Sequence, residues 1–143
     1  MKKTLLLLAL TAASPALARD TVVKIKLADV FELPEAKQKL DGTVKIYLDG
    51  QKTPSVKKTL GSDVTNKKTN AVGKSDEFAC KWATLSALIA LQEGAKKNGA
   101  NAVVNVVSYY KKVEFKSATE IECHAGTMVA GVALKGDYAT IGK

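Results

Sequence analysis

The sequence predicts an α+β fold: a small, mostly antiparallel sheet packed on one long helix at about residues 76–97, held by one disulfide. Three observations carry this. Residues 76–97 repeat apolar side chains at helical spacing. Several short segments on either side alternate apolar with polar residues or are β-branched. The chain has two cysteines, Cys80 and Cys123, so each is the other's only candidate partner.

The chain opens with a leader. Met1-Lys2-Lys3 is basic, the stretch from Leu5 to Ala13 is apolar apart from Thr11, and Ala16-Leu17-Ala18 follows Pro15 as an A-x-A cleavage site. Residues 1–18 therefore read as a secretory signal peptide and residues 19–143 as a single α+β domain. The apolar stretch is about half the roughly 20 residues of a bilayer span. With no cysteine beside the cleavage site, neither a transmembrane segment nor a lipid anchor is expected. The expected location is periplasmic or secreted. In such a compartment Cys80 and Cys123 read as a disulfide. Closing its loop of about 43 residues is worth roughly 4 kcal/mol in the chain-entropy picture.

The elements follow in order. Residues 21–27, TVVKIKL, alternate as a half-buried strand, and residues 43–48, TVKIYL, alternate as a second, able to pair with the first antiparallel. Between them Pro34 and EAKQKL give a loop or one helical turn. Residues 51–74 are polar and lysine-rich, and one irregular or edge strand, flanked by loops, is expected within residues 55–68, where lysines also oppose sheet-to-sheet aggregation. The helix starts at Ser75 or Asp76 as cap, with Asp76 and Glu77 suiting its positive end. Phe78, Trp82, Leu85 and Ile89 mark its expected core face, and Ala79, Ala83, Ala87 and Ala90 allow close approach to a sheet. Lys96, Lys97 and Gly99 end it. Residues 101–110, NAVVNVVSYY, form a central strand. Residues 113–115 and 118–123 are extended. Residues 126–134 form a small-residue strand whose Gly131 marks close backbone approach, before a turn at Lys135-Gly136-Asp137 and a frayed tail.

Candidate chemistry is sparse. Gly94 and Gly99 have the glycine spacing of a P-loop, but the Lys and Ser/Thr that must follow are missing. The segment also sits at a helix C-terminus, whose dipole repels phosphate. Glu120, Glu122 and His124 alternate around Ile121 and Cys123, so a strand puts the three polar residues on one face. They are the candidate metal ligands. A strand sets i and i+4 about 13 Å apart, too far for one ion to join Glu120 and His124 without a bulge. His124 is the sole imidazole, and no G-x-S-x-G nucleophile motif accompanies it. The formal charge is +8, but the lysines are scattered and no arginine follows Arg19, which argues against nucleic acid. Lys57, Lys58, Lys67 and Lys68, with whichever of Tyr109 and Tyr110 faces outward, are the candidate contact surface for an anionic envelope surface or an envelope protein.

FACKWATLSALIALQEGAKKNGANAVVNVVSYYKK and then IECHAGTMVAGVALKG resemble a family of small exported bacterial proteins commonly labelled after an excinuclease ATPase subunit. That label does not carry over: the chain lacks a complete P-loop and is too short for a DNA-repair ATPase. More remotely, the helix–GANAVV–strand–hairpin order is similar to small cytosolic heavy-metal-binding α+β domains and to the envelope-stress lipoprotein of the enteric Rcs phosphorelay. Those likenesses imply a small sheet against one main helix. They transfer no catalytic residue, and the metal-binding name maps onto no ligand set here. The expected role is a non-enzymatic exported domain without cofactor, serving as an envelope-stress or interaction module. The alternative is a periplasmic metal- or small-ligand-binding protein.

Overall fold

A computed structural model describes residues 19–142. The expected signal peptide and its cleavage site lie outside the described residues. The element order is β1 (Thr21–Lys26), α1 (Leu27–Phe31), α2 (Pro34–Lys39), β2 (Lys45–Leu48), β3 (Val56–Asn70), α3 (Asp76–Lys97), β4 (Ala102–Ser108), β5 (Glu120–Ala125) and β6 (Val129–Ile141).

The architecture is α+β, with a curled six-stranded sheet that is mixed instead of purely antiparallel. β6 is its axis. One side of β6 pairs along its length with β3; the other side pairs with β5 near Gly131 and with β4 from Leu134 to Ala139. β1 then adds to β5 antiparallel, and β2 adds to β4 parallel. The expected pairing of the first two strands is corrected: they end on separate arms of the sheet, because α1 and α2 carry the chain across α3.

α3 begins at Ser75, whose hydroxyl accepts the Phe78 N–H at 3.1 Å. It stops where Gly99 takes a left-handed φ of 72°. Its core face is made of small and aliphatic residues: Ala79, Cys80, Ala83, Ala87, Leu88, Leu91 and Ala95 are buried. They meet Val103, Val106, Ile121, Cys123, Val132, Leu134 and Tyr138 from the sheet. Buried Gln92 is satisfied by the Lys39 carbonyl and the Asp41 N–H, tying α3 to the segment before β2. Gly94 lies inside the helix, where any Cβ would collide with the Tyr138 hydroxyl. Its role is a helix–sheet crossing, and the P-loop spacing is incidental.

Two expectations fail here. Phe78 is 53% exposed, and Trp82 is half-buried outside the core cluster. The helix is apolar on most sides, and its alanines win the core because they let it lie close to the sheet. The turn expected at Lys135-Gly136-Asp137 is instead the middle of β6. A Cβ at Gly136 would lie 2.7 Å from Val103 Cγ1 and 3.0 Å from Val106 Cγ2, so glycine admits the neighbouring bulged β4.

Candidate functional site

The disulfide comes first because it orients everything on β5. Cys80 and Cys123 are bonded, both fully buried, with Cα atoms 5.8 Å apart. Burial keeps the pair from attacking thiols, so it is a structural staple. Fixing Cys123 toward α3 turns its neighbours in the strand to the opposite, open face of the sheet. There β1 and β5 register Val22 against His124, Lys24 against Glu122, and Lys26 against Glu120.

His124 is held on both nitrogens. Nδ1 meets Asp20 Oδ1 at 2.8 Å and Nε2 meets Glu122 Oε1 at 2.8 Å. Each ring nitrogen thus faces a carboxylate oxygen of the domain itself. The other Glu122 oxygen accepts from Lys24 Nζ at 2.9 Å, and Lys24 Nζ lies 3.3 Å from the Phe115 ring centroid. Burial would raise the Glu122 carboxyl, but the bonds from Lys24 and His124 outweigh it and hold the group below its ordinary value. The Tyr110 ring stacks on His124 at 3.6 Å with the planes 12° apart.

These contacts answer the expectation of metal ligands at Glu120, Glu122 and His124. His124 and Glu122 do meet, but as hydrogen-bonding partners. Glu120 stands further along the strand opposite Lys26. Among the described residues no three His, Cys, Asp or Glu converge on a point where one ion could touch them.

The tyrosines also differ from expectation. β4 ends at Ser108, so strict alternation does not reach them. Both are half-buried, Tyr110 on His124 and Tyr109 with Lys135 Nζ 5.1 Å from its ring centroid. The turn that follows is strained: Lys111 and Lys112 take φ of 51° and 63°. For residues with a Cβ this costs about 1–2 kcal/mol each.

The four candidate lysines do not form one patch. All are exposed on β3, Lys57 and Lys58 at its start and Lys67 and Lys68 near its end. The nine residue steps from Lys58 to Lys67 span roughly 30 Å of extended chain. Only Lys68 joins the tyrosine side. With Arg19, Tyr110, Lys111, His124 and Val129 it lines a depression of about 280 Å³. Arg19 is bidentate to Asp76 at 2.8 and 2.9 Å, and also donates to the Gly126 carbonyl. The Asp76 carboxyl is held low by that hydrogen bond.

Sequence reasoning missed Arg19, Asp20, Lys24, Lys111 and Phe115 as members of this face. Lys24 was findable, since it alternates with Val23 and Ile25 as Glu122 does with Ile121 and Cys123. The others depend on tertiary contacts. No helix among the described residues is long and apolar enough to cross a membrane. Compared with protein families, with curated proteins and with solved structures, the chain matches none.

Proposed function

We propose that the protein is a non-enzymatic interaction domain, exported to the periplasm, that holds an extended acidic segment of another envelope protein along the outer edge of β3. One observation carries the reading. β3 is fifteen residues long, pairs only with β6, and leaves its outer backbone edge open among the described residues. An open edge is a template for an added strand. Its lysines select the partner. Lys57, Lys58, Lys67 and Lys68 repel a second copy of the same strand and favour carboxylates. The buried disulfide supports an oxidising compartment. The non-enzymatic part is supported by the sole imidazole having both nitrogens engaged by carboxylates on the domain itself.

The test is titration with a ten-residue peptide alternating Glu and Val, followed by amide hydrogen exchange. Slowed exchange along β3 is expected, with binding weakened by salt and by Lys57→Glu, Lys58→Glu and Lys67→Glu together. Protection at β1 or β2 instead, or none, defeats the proposal. Export is tested separately: the protein recovered from the periplasm should have the mass of a chain starting at Arg19.

A further inference from the structure

At one end of the sheet, apolar side chains and unpaired lysines are brought together by tertiary contacts. The turn between β5 and β6 is closed by Gly126 N–H to the Val129 carbonyl, and Ala71 N–H reaches across to the Met128 carbonyl. Met128 is 68% exposed, Val72 beside Ala71 is 58% exposed, and Val129 is 45% exposed. Three large exposed apolar side chains thus stand near one another at this end of the sheet. Immediately beside them lies the depression lined by Lys68, Lys111 and Val129.

The charges around that depression are not equivalent. Arg19 is occupied by Asp76, Lys24 by Glu122, and the His124 ring by Asp20 and Glu122. Lys68 and Lys111 have no carboxylate partner among the described residues. Lys111 is presented by a turn with two successive lysines in left-handed conformation, which surface solvation alone does not require. Tyr110 is held against His124 beneath it.

We infer that this end of the molecule is a second binding site, which takes the phosphate of an anionic phospholipid headgroup between Lys68 and Lys111 and lays Val72, Met128 and Val129 into the bilayer interface. Free phosphate shares the headgroup's chemistry. The apolar side chains next to the cations assign the lipid, because a soluble anion gives exposed Met128 and Val72 nothing to contact. Lysines close to an anionic leaflet each add about five- to sixfold in affinity, so the pair accounts for about thirtyfold. The site shares Lys68 with the β3 edge, while Lys57, Lys58 and Lys67 stand outside it.

Co-sedimentation of the disulfide-intact protein with phosphatidylglycerol vesicles tests this, with phosphatidylcholine vesicles and soluble glycerol phosphate as the other arms. Binding to phosphatidylglycerol alone is expected. It should weaken about thirtyfold in Lys68→Gln with Lys111→Gln, and at least tenfold in Val72→Ser with Met128→Asp. The Lys57→Glu and Lys58→Glu protein, which impairs the β3 edge, should bind vesicles within about threefold of wild type. Equal loss in that protein would mean diffuse charge attraction and overturn the site. So would absence of vesicle binding, or binding of glycerol phosphate without vesicles. Far-ultraviolet circular dichroism and melting of each variant separate lost binding from lost folding; Lys68→Gln with Lys111→Gln removes no hydrogen bond of the described residues.

Discussion

The two faces of the sheet are built on opposite rules. The face under α3 is closed by small residues, one disulfide and close backbone approach, and its side chains are buried to a few per cent exposure. On the other face, a small apolar cluster of Ala102, Val104 and Ala139 covers the β4 end, and the β1–β5 arm is closed by polar contacts: Lys24, Glu122, His124, Asp20 and Tyr110 form one connected row. The first arrangement yields stability because apolar burial and chain cross-linking need no exact partner chemistry. The second spends conformational freedom on holding charges in place, and solvent screens most of what it returns. A protein that acts by contact would place its contact groups on the second face, and the strained lysines are found there.

The comparison breaks most severely at the staple. Cys80→Ser with Cys123→Ser should lower stability by roughly 4 kcal/mol, the value for a closed loop of this length. Urea unfolding with and without reductant measures it, and the double variant should be insensitive to reductant. A loss below about 1 kcal/mol would mean that packing of α3 alone seals that face.

The next effect is at Gly94. Replacing it with alanine improves helix propensity by about 1 kcal/mol. The new methyl, however, meets the Tyr138 hydroxyl, which donates to Asp63 Oδ2 at 2.8 Å and cannot swing away freely. Overpacking of this kind costs about 1–3 kcal/mol. Net destabilisation of up to about 2 kcal/mol is expected, and Gly94→Ala in a Tyr138→Phe background should recover part of it, since the ring carbon Cζ still lies 2.7 Å from the new Cβ. Chemical denaturation of the four proteins of that cycle checks the coupling.

How much of each face could be read in advance follows from the same contrast. The Cys80–Cys123 pair and the outward row of Glu120, Glu122 and His124 were legible, since strand alternation depends only on neighbours in sequence. The core face of α3 was legible in Leu85 and the alanines but not in its aromatic residues. Phe78 and Trp82 look like core residues by hydrophobicity, yet close approach to the sheet leaves room only for the small residues beside them, Ala79, Ala83 and Ala87. The full length of β3 was hidden because an edge strand exposed on both sides has no alternation, and its extent is imposed by β6. Gly136 reads as a turn unless the valines of β4 above it are known. The site followed the same pattern: Glu122 and His124 were visible, whereas Asp20, Lys111 and Phe115 reach them only through the fold.

On the polar face the effects are smaller. The Glu122 carboxyl is held below its ordinary value by Lys24 and His124 in spite of partial burial. A lowered carboxylate stabilises the fold above its unfolded pKa, and that contribution fades as pH falls through the folded value. Glu122→Gln should therefore destabilise at pH 7 by about 1 kcal/mol or less after solvent screening. The gap from wild type should close as pH falls through the lowered folded-state value, beyond which both proteins are neutral at this position. Thermal melts at pH 7 and pH 3 test the sign. A gap that widens in acid would place the carboxylate's main role elsewhere.

The smallest effect has the opposite sign and separates the faces most sharply. Lys111 holds a φ of 51° that glycine adopts without strain. Lys111→Gly relieves about 1–2 kcal/mol of left-handed strain. It also gives back about 0.4–1 kcal/mol through the more flexible unfolded chain. The remainder is a gain of between about zero and about 1.6 kcal/mol, centred near 0.8. The same substitution removes one of the two unpaired cations beside Val129 and should weaken binding to phosphatidylglycerol vesicles about fivefold. A variant more stable and less adhesive than wild type is what a residue kept for contact predicts. If Lys111→Gly is less stable, the turn is needed to seat Tyr110 on His124, and the left-handed lysine belongs to the architecture of that face instead of to its contacts.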